Sequence, residues 1–425
     1  MKDRIILHCD CNNYFASVET IYRPELRDVP MAVCGDPASR HGIILAKNER
    51  AKKYGVQTAE TIYQALRKCP SLTLISPTRH LYGEYCRRIN AIYAQYTDQV
   101  EAFSIDESWL DVTASEHLFG SGEQIADELR RRVREELGLT ISVGVSFNKV
   151  FAKLGSDYKK PDATTVITRE NYPDILFPLP VESMLFVGRT TAQALRRFYV
   201  RTIGDLAALP RERAVSLLGE ASGDMLWRYA NGLDDSPVRR QGEVDPVKSV
   251  SNSTTFSHDL TGAEEIRTGL MLLCDSVGGR LREQQLYATT VQVQIRNPAL
   301  KTICRQKKLV RPSSMTSELY QCALTLVEAS WNPGAPIRML GVGASGLVDS
   351  DESAQISLFE DETAGIRARR KRLETTVDEL RRRFGHDVLL PGRTQFAFFT
   401  AALAAFSSCR QSGGNALDDP QDATF

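Results

Sequence analysis

Asp106 and Glu107 are adjacent acids set between two apolar, strand-like runs, residues 100–105 and 108–112. A tight hairpin joining these runs is expected to carry both carboxylates out at its tip, where water or a cation must balance them. Far upstream, the run Ile5-Ile6-Leu7-His8-Cys9 leads into Asp10, and Asp10-Cys11-Asn12-Asn13 breaks it before a helix starts at Tyr14. Asp10 therefore stands at the carboxyl end of a strand. Three carboxylates converging from two strand ends would make a site for a hard cation, which takes oxygen ligands. Downstream, Lys149 and Lys153 begin a helix that Lys159-Lys160-Pro161 closes. Such a cluster is an ordinary solvated face unless acids lie beside it.

Composition narrows the class. The 425 residues should divide into two to four domains of about 100–150 residues each. With 42% hydrophobic and 25% charged residues the chain has an ordinary globular balance. No apolar run approaches the roughly 20 residues of a membrane span; the longest, 396–406, falls short. The first residues lack the apolar region of a signal peptide, so a cytoplasmic location is expected. Nine scattered cysteines without CxxC pairing, and six histidines without an HExxH arrangement, argue against zinc clusters and disulfide frameworks. A metal here would be held by oxygen. The net charge is zero, so any nucleic-acid contact must come from local basic patches.

Periodicity supplies the elements that must position these groups. Strands are expected over 31–34 and 42–46, then a basic helix over 48–54 whose cations invite phosphate and which Gly55 stops. Helical spacing recurs over 81–96 and 123–137, and a strand follows over 139–145. The order implies an α+β domain: a split βαβ sheet backed by helices, with residues of about 20–78 inserted as a small lobe. Residues 173–235 read as a helical lobe. There Gly188 opens one helix and residues 200–206 turn into another, helix-hairpin-helix phrasing that can offer backbone N–H groups to a phosphate.

Residues 237–247 have a linker's composition, and a new domain begins at 248. Within it, Val291, Val293 and Ile295 alternate with Gln292, Gln294 and Arg296. Lys301, Arg305, Lys307, Lys308 and Arg311 follow with no acid from Arg296 onward, so this sheet is expected to lay one basic surface along a sugar-phosphate backbone. After residue 349 the polar chain is interrupted by Gln355-Ile356-Ser357-Leu358-Phe359, an apolar plug between acids that reads as a docking peptide. A basic amphipathic helix over 366–384, with Leu373, Val377 and Leu380 on one face, comes next. Residues 396–406 suggest no more than a packed helix.

These stretches resemble the Y-family, translesion DNA polymerases, and within them the bacterial DNA polymerase IV group, over roughly residues 1–360. The resemblance rests on the ordered motifs Asp10-Cys11-Asn12-Asn13-Tyr14-Phe15-Ala16-Ser17-Val18-Glu19, Ser104-Ile105-Asp106-Glu107, and Ser142-Val143-Gly144-Val145-Ser146-Phe147-Asn148-Lys149-Val150-Phe151-Ala152-Lys153 with Lys160-Pro161. It implies a multi-domain, right-hand polymerase. Residues 1–168 would be a ferredoxin-like palm with inserted fingers, and 169–236 a helix-hairpin-helix thumb. Residues 237–247 would be a linker, 248–349 an α+β little finger and 350–425 a tail.

The implied activity is template-directed addition of deoxynucleotides to a primer 3′-OH, at low fidelity, in damage tolerance. By the same resemblance, Asp10, Asp106 and Glu107 are catalytic and, with the Cys11 carbonyl, hold two Mg²⁺ ions, for which Mn²⁺ can substitute. Tyr14, Phe15, Lys52 and Lys160 would contact the nucleotide, Phe15 as the steric gate against a 2′-hydroxyl. Lys149, Lys153, Gly188, Arg296, Lys301, Arg305, Lys307 and Lys308 would contact DNA. Gln355, Ser357, Leu358 and Phe359 would bind the bacterial sliding clamp. Primer-template DNA, deoxynucleoside triphosphates and the clamp are the implied partners of a monomeric, nucleoid-associated enzyme without membrane contact.

Departures from the family pattern are local. Glu49 and Lys52 replace a Tyr and Arg that often pair with the triphosphate, and Lys cannot make Arg's bidentate contact. Asn12-Asn13 and Glu49 lean toward the catalytic subunit of DNA polymerase V. Gly343 sits where relatives often carry a basic contact. Two rivals fit less well: a nucleotidyl cyclase has no use for the helical lobe or docking peptide, and an inactive clamp-bound adaptor would lack the acids.

Overall fold

The structure, a computed structural model, describes residues 3–37, 42–243, 245–332, 334–349, 364–385 and 388–392. They belong to two units, Met1–Val244 and a second beginning at Asp245. Among the described residues no helix is long and apolar enough to cross a membrane.

The first unit starts with β1 (Ile6–Cys11) and α1 (Tyr14–Tyr22). A small lobe follows: β2 (Met31–Cys34), β3 (Ile44–Lys47), α2 (Glu49–Lys53), α3 (Ile62–Lys68) and β4 (Thr73–Ile75), whose three strands pair in the order β3-β2-β4. Asn48 caps α2 by accepting from the Ala51 N–H, and Gly55 follows it at φ 77°. The chain then returns through α4 (Arg79–Tyr93), β5 (Val100–Ala102), β6 (Glu107–Asp111), α5 (Glu116–Phe119), α6 (Gly122–Leu137), β7 (Ile141–Ser146), α7 (Lys149–Tyr158) and β8 (Thr164–Val166). These strands form one sheet in the order β5-β6-β1-β7-β8, with β1 central and antiparallel to both neighbours. A helical lobe of α8 (Tyr172–Leu176), α9 (Arg189–Arg196), α10 (Ile203–Ala207), α11 (Arg211–Leu218) and α12 (Glu220–Ala230) closes the unit around Leu195, Val200, Ile203 and Leu226.

Side chains of β1 alternate between two covered faces. Leu7, Cys9 and Cys11 pack with Leu110, Val143 and the helical core residues Tyr93, Ile125 and Leu129. Ile6 goes the other way, against Trp109 and Ala152 of α7. His8 and Asp10 share that second parity, so α7 covers the face on which they lie. Its close approach depends on Gly144 of β7, where a Cβ would overlap the backbone of Ala152 and Ser156, and on Gly155, whose own Cβ would stand 3.0 Å from the Gly144 Cα. Linker composition misleads in one respect. Val238 is buried with Ile6 and Trp109, the Arg239 N–H donates to Glu101 at 3.0 Å, and the Gln241 N–H donates to the Asp98 carbonyl at 3.0 Å. Residues 238–241 are thus strapped to the first unit.

The second unit comprises β9 (Ser249–Leu260), α13 (Ala263–Glu283), β10 (Tyr287–Arg296), β11 (Thr302–Ser313), α14 (Thr316–Ser330), β12 (Ile337–Val348) and α15 (Ala364–Phe384). Its sheet runs β11-β10-β12-β9, antiparallel throughout, with α13 and α14 packed on the face carrying Val291, Val293 and Val342. Register corrects the expected single basic surface. Lys308 pairs with Thr290 and shares the open face, whereas Arg305 pairs with Val293 and Lys307 with Val291, so these two cations project from the helix-covered side at the sheet edge.

The basic C-terminal helix is part of this unit and docks by charge. Arg282 reaches Glu374 at 2.6 Å and Asp378 at 2.5 Å, Arg381 meets Asp275 at 2.9 Å, and Arg367 meets Glu318 at 2.8 Å. Ile366, Leu373, Leu380 and Phe384 are exposed, while Val377 is half-buried. The docking peptide 355–359 and residues 396–406 lie outside the described residues.

Gly144→Ala is therefore expected to lower unfolding stability by about 1–3 kcal/mol, the usual penalty of overpacking. Gly343→Ala is the matched control, because its Cβ would meet nothing nearer than Ser251 at 3.5 Å. Urea denaturation of the two variants should show a fall in midpoint for the first and almost none for the second.

Candidate active site

Pairing of β1 with β6 sets Asp10 directly opposite Glu107, and the ladder continues past them through the Cys11 N–H, which donates to the Asp106 carbonyl at 3.0 Å. The three predicted acids are thus neighbours. Their setting corrects the hairpin-tip expectation: Glu107 opens β6, Asp106 ends the turn, and both are half-buried. Asp10 is buried outright. Asp106 accepts from the Ser104 hydroxyl at 2.6 Å.

Crowding shows in the titration of these groups. Burial pushes the Asp10 carboxyl up to about 6; Lys160 opposes the rise and the Glu107 charge adds to it. Burial also raises Asp106, with Ser104 opposing and the charges of Asp10 and Glu107 adding. An anionic cluster held in this way gains from any cation that reaches it. Two ammonium groups of this chain do so. Lys160 Nζ lies 2.7 Å from Asp10 Oδ2 and 2.7 Å from Asp157, while Lys153 Nζ lies 2.9 Å from Glu107 Oε2 and 3.7 Å from Asp10. Burial disfavours the charges of Lys160 and Asp157, but the mutual attraction of acids and lysines outweighs it. Lys160 is consequently held above the usual lysine range and Asp157 below the usual carboxylate range.

Among the described residues no group of three His, Cys, Asp or Glu side chains is arranged to hold a metal ion. The donor chemistry nevertheless fits a hard cation: these are carboxylate oxygens, two of them raised by burial and by each other, with lysines as the present counter-charges.

Several predicted contacts are placed differently. Lys149 is not exposed for a phosphate; its ammonium bonds Glu101 at 2.7 Å and lies 4.4 Å from the centre of the Trp109 ring. Lys153 belongs to the acids rather than to an open DNA face. Tyr14 is a core side chain whose hydroxyl donates to the Tyr82 carbonyl at 2.6 Å, which corrects its assignment as a nucleotide contact through the side chain. Its neighbour Phe15 is half-buried and stacks on Tyr82, centroids 4.2 Å apart at 13°. Lys52 is exposed on α2, 3.5 Å from Glu49, which in turn accepts from Asn13 at 3.0 Å. That link ties the inserted lobe to the start of α1. Gly188 is exposed at the N-cap of α9. Arg296 bonds Thr302 within the second unit's sheet, and Lys301 is exposed beside it.

Sequence reasoning missed Glu101 and Asp157, and gave His8, inside the apolar run of β1, no part in the site. Asp157 had a signal, four residues after Lys153 on the same helical row. His8 is fully buried, with its pKa pushed down to about 3 by burial and by Lys153.

Residues 9–157 match the impB/mucB/samB family and residues 247–358 match that family's C-terminal domain. The chain is 49% identical to a DNA polymerase IV of Acetivibrio thermocellus, across 90% of this chain and 95% of that protein. It is 35% identical to a DNA polymerase IV of Clostridium kluyveri, across 92% and 98%. A solved Y-family DNA polymerase chimera of Dbh and Dpo4 superposes with a TM-score of 0.70 at 22% identity, covering 81% of this chain and all of that one, and so shares its fold. With both family domains matched and DNA polymerase IV relatives alike over nine-tenths of its length, the chain belongs to the impB/mucB/samB family, in the Y-family, DNA polymerase IV-like group.

Proposed function

We propose that this chain is a template-directed DNA polymerase of the translesion type that extends a primer 3′-OH by two-metal nucleotidyl transfer. The observation that carries this reading is the close set of Asp10, Asp106 and Glu107 across the β1–β6 ladder, where burial, and then the neighbouring acids, raise Asp10 and Asp106. Asp10, Asp106 and Glu107, with the Cys11 backbone carbonyl, would hold two Mg²⁺ ions, or Mn²⁺ in their place. Bound there, such ions supply charge stabilisation at the attacking primer oxygen and at the departing pyrophosphate.

The chain's own residues do the rest. Lys160 is bonded to Asp10 and sits where a cation is needed; released from that carboxylate, its ammonium is free to pair with a triphosphate oxygen. Lys153 stays near Glu107 and limits repulsion among the acids. Phe15, braced flat against Tyr82, presents a rigid ring edge that can reject a 2′-hydroxyl by contact. Lys52 offers a second, exposed cation from the inserted lobe, as a point charge rather than a fork.

In this assignment the five-stranded sheet is the palm, the β3-β2-β4 lobe the fingers, α8–α12 the thumb and the second unit the little finger. The exposed N-terminus of α9 at Gly188 and the polar open face of the second unit's sheet, with Lys308 at its edge, are the proposed DNA contacts. Gln355, Ser357, Leu358 and Phe359 are proposed to bind the sliding clamp. The described residues on either side of that peptide, Asp349 and the start of α15, both belong to the second unit.

Primer extension with Mg²⁺ tests the reading directly. Asp106→Ala should abolish incorporation, a loss of at least about a thousandfold; retained activity would send the assignment elsewhere. Phe15→Ala should raise ribonucleotide incorporation relative to deoxyribonucleotide, and unchanged sugar discrimination would remove its role as gate. Deleting residues 355–359 should eliminate stimulation by the clamp and leave clamp-free extension intact, whereas loss of both would show that the peptide is not purely a docking element.

A further inference from the structure

His8 is fully buried beneath α7, on the same sheet face as Asp10 and diagonally across the β1–β6 ladder from Glu107. Its Nδ1 lies 2.8 Å from the Ser156 hydroxyl, and its Nε2 has no hydrogen-bond partner among the described residues. A buried ring nitrogen without a hydrogen-bond partner is destabilising and calls for an explanation. Nε2 lies 3.6 Å from Glu107 Oε2.

The position of the ring proton decides what this contact is. With the proton on Nδ1, a lone pair on Nε2 would face a carboxylate oxygen, two acceptors with nothing between them. With the proton on Nε2, the positive N–H edge faces the carboxylate at 3.6 Å, an electrostatic contact longer than a hydrogen bond, and Nδ1 accepts from the Ser156 hydroxyl, which can turn away from the Lys153 carbonyl it otherwise reaches at 2.8 Å. The second arrangement is electrostatically favourable. Both the His8 contact and the Lys153 contact then fall on the same oxygen, Oε2.

We infer that His8 is a positioning residue: with its proton on Nε2 it faces Glu107 Oε2 at 3.6 Å, beside the Lys153 ammonium, and so biases the other carboxylate oxygen toward the cation. Buried partners of this kind orient ligating carboxylates, and their loss typically weakens metal affinity by about 10–100-fold. The inference rests on the metal-binding role proposed above for the three acids.

The test uses Mn²⁺ as probe, titrated by electron paramagnetic resonance into the full-length protein bound to a primer-template with a dideoxy-terminated primer and the matching nucleotide, so that no turnover occurs. His8→Leu should weaken Mn²⁺ binding roughly tenfold. His8→Gln, whose amide can donate from nearly the same point as Nε2, should restore it to within about threefold. Nitrogen-15 NMR of the wild-type histidine should show the proton on Nε2; because it needs no variant, it decides the matter even if His8→Leu folds poorly. A leucine variant that binds Mn²⁺ as well as wild type, a glutamine variant as weak as leucine, or a proton on Nδ1 would each overturn the inference. Asp106→Ala separates the two levels. If it loses Mn²⁺ while His8→Leu does not, only the role of His8 falls; if it keeps Mn²⁺, the metal reading falls and takes this inference with it.

Discussion

The approach of α7 to the central sheet is the constraint on which the site depends. Because Gly144 and Gly155 remove the side chains that would hold helix and strand apart, the helix lies nearly on the backbone of β7. Lys153, Ser156 and Asp157 are thereby carried over the face that holds His8, Asp10 and Glu107. A longer gap would leave three carboxylates half out of water with no counter-charge. Ion pairs in such a setting repay their desolvation only when geometry is tight and the remaining lone pairs are bonded. Here the lysines meet carboxylates at 2.7 and 2.9 Å. Helix packing and site electrostatics are thus one feature.

Balance by lysine also gives the site its character. Asp10 is raised to about 6 although Lys160 touches it, so burial and the Glu107 charge outweigh one ammonium group. A more concentrated positive charge would relieve what the lysines leave uncompensated, which is the physical support for the proposed divalent cations. Glu101 makes the contrast. Glu101 is buried, yet Lys149 and Arg239 hold its carboxyl below the usual range, because two cations and a backbone N–H converge on one group. Glu101 is a structural tether; Asp10 is poised for an exchange of partners.

Much of this was legible in the sequence, for reasons that can be named. The continuous apolar run of β1, period-2 alternation in β10, helical spacing in α4 and α6, and the stop signals around α2 and α7 follow from local chemistry, and the three acids stood out by type and spacing. What could not be read was decided across the sheet. Lys149 and Lys153 look alike on one helix, yet one is spent on Glu101 and the other on Glu107. Tyr14 and Phe15 are adjacent, yet one enters the core and the other stacks at its margin. The basic run of β11 is divided by its register with β10, and a run of cations does not announce its register. Likewise, α15 docks through arginines and acids while Ile366, Leu373, Leu380 and Phe384 stay outside, against what its amphipathic pattern suggests.

On the proposed reading, Lys160 holds at Asp10 the place of a divalent cation, while Lys153 stays beside Glu107. The most direct test is anomalous scattering from crystals of the protein grown with primer-template DNA, a matching nucleotide and Mn²⁺. Anomalous peaks are expected within about 2.0–2.6 Å of carboxylate oxygens of Asp10 and Asp106, with Lys160 Nζ moved off Asp10. Peaks confined to other residues, with Lys160 still bonded to Asp10, would contradict it.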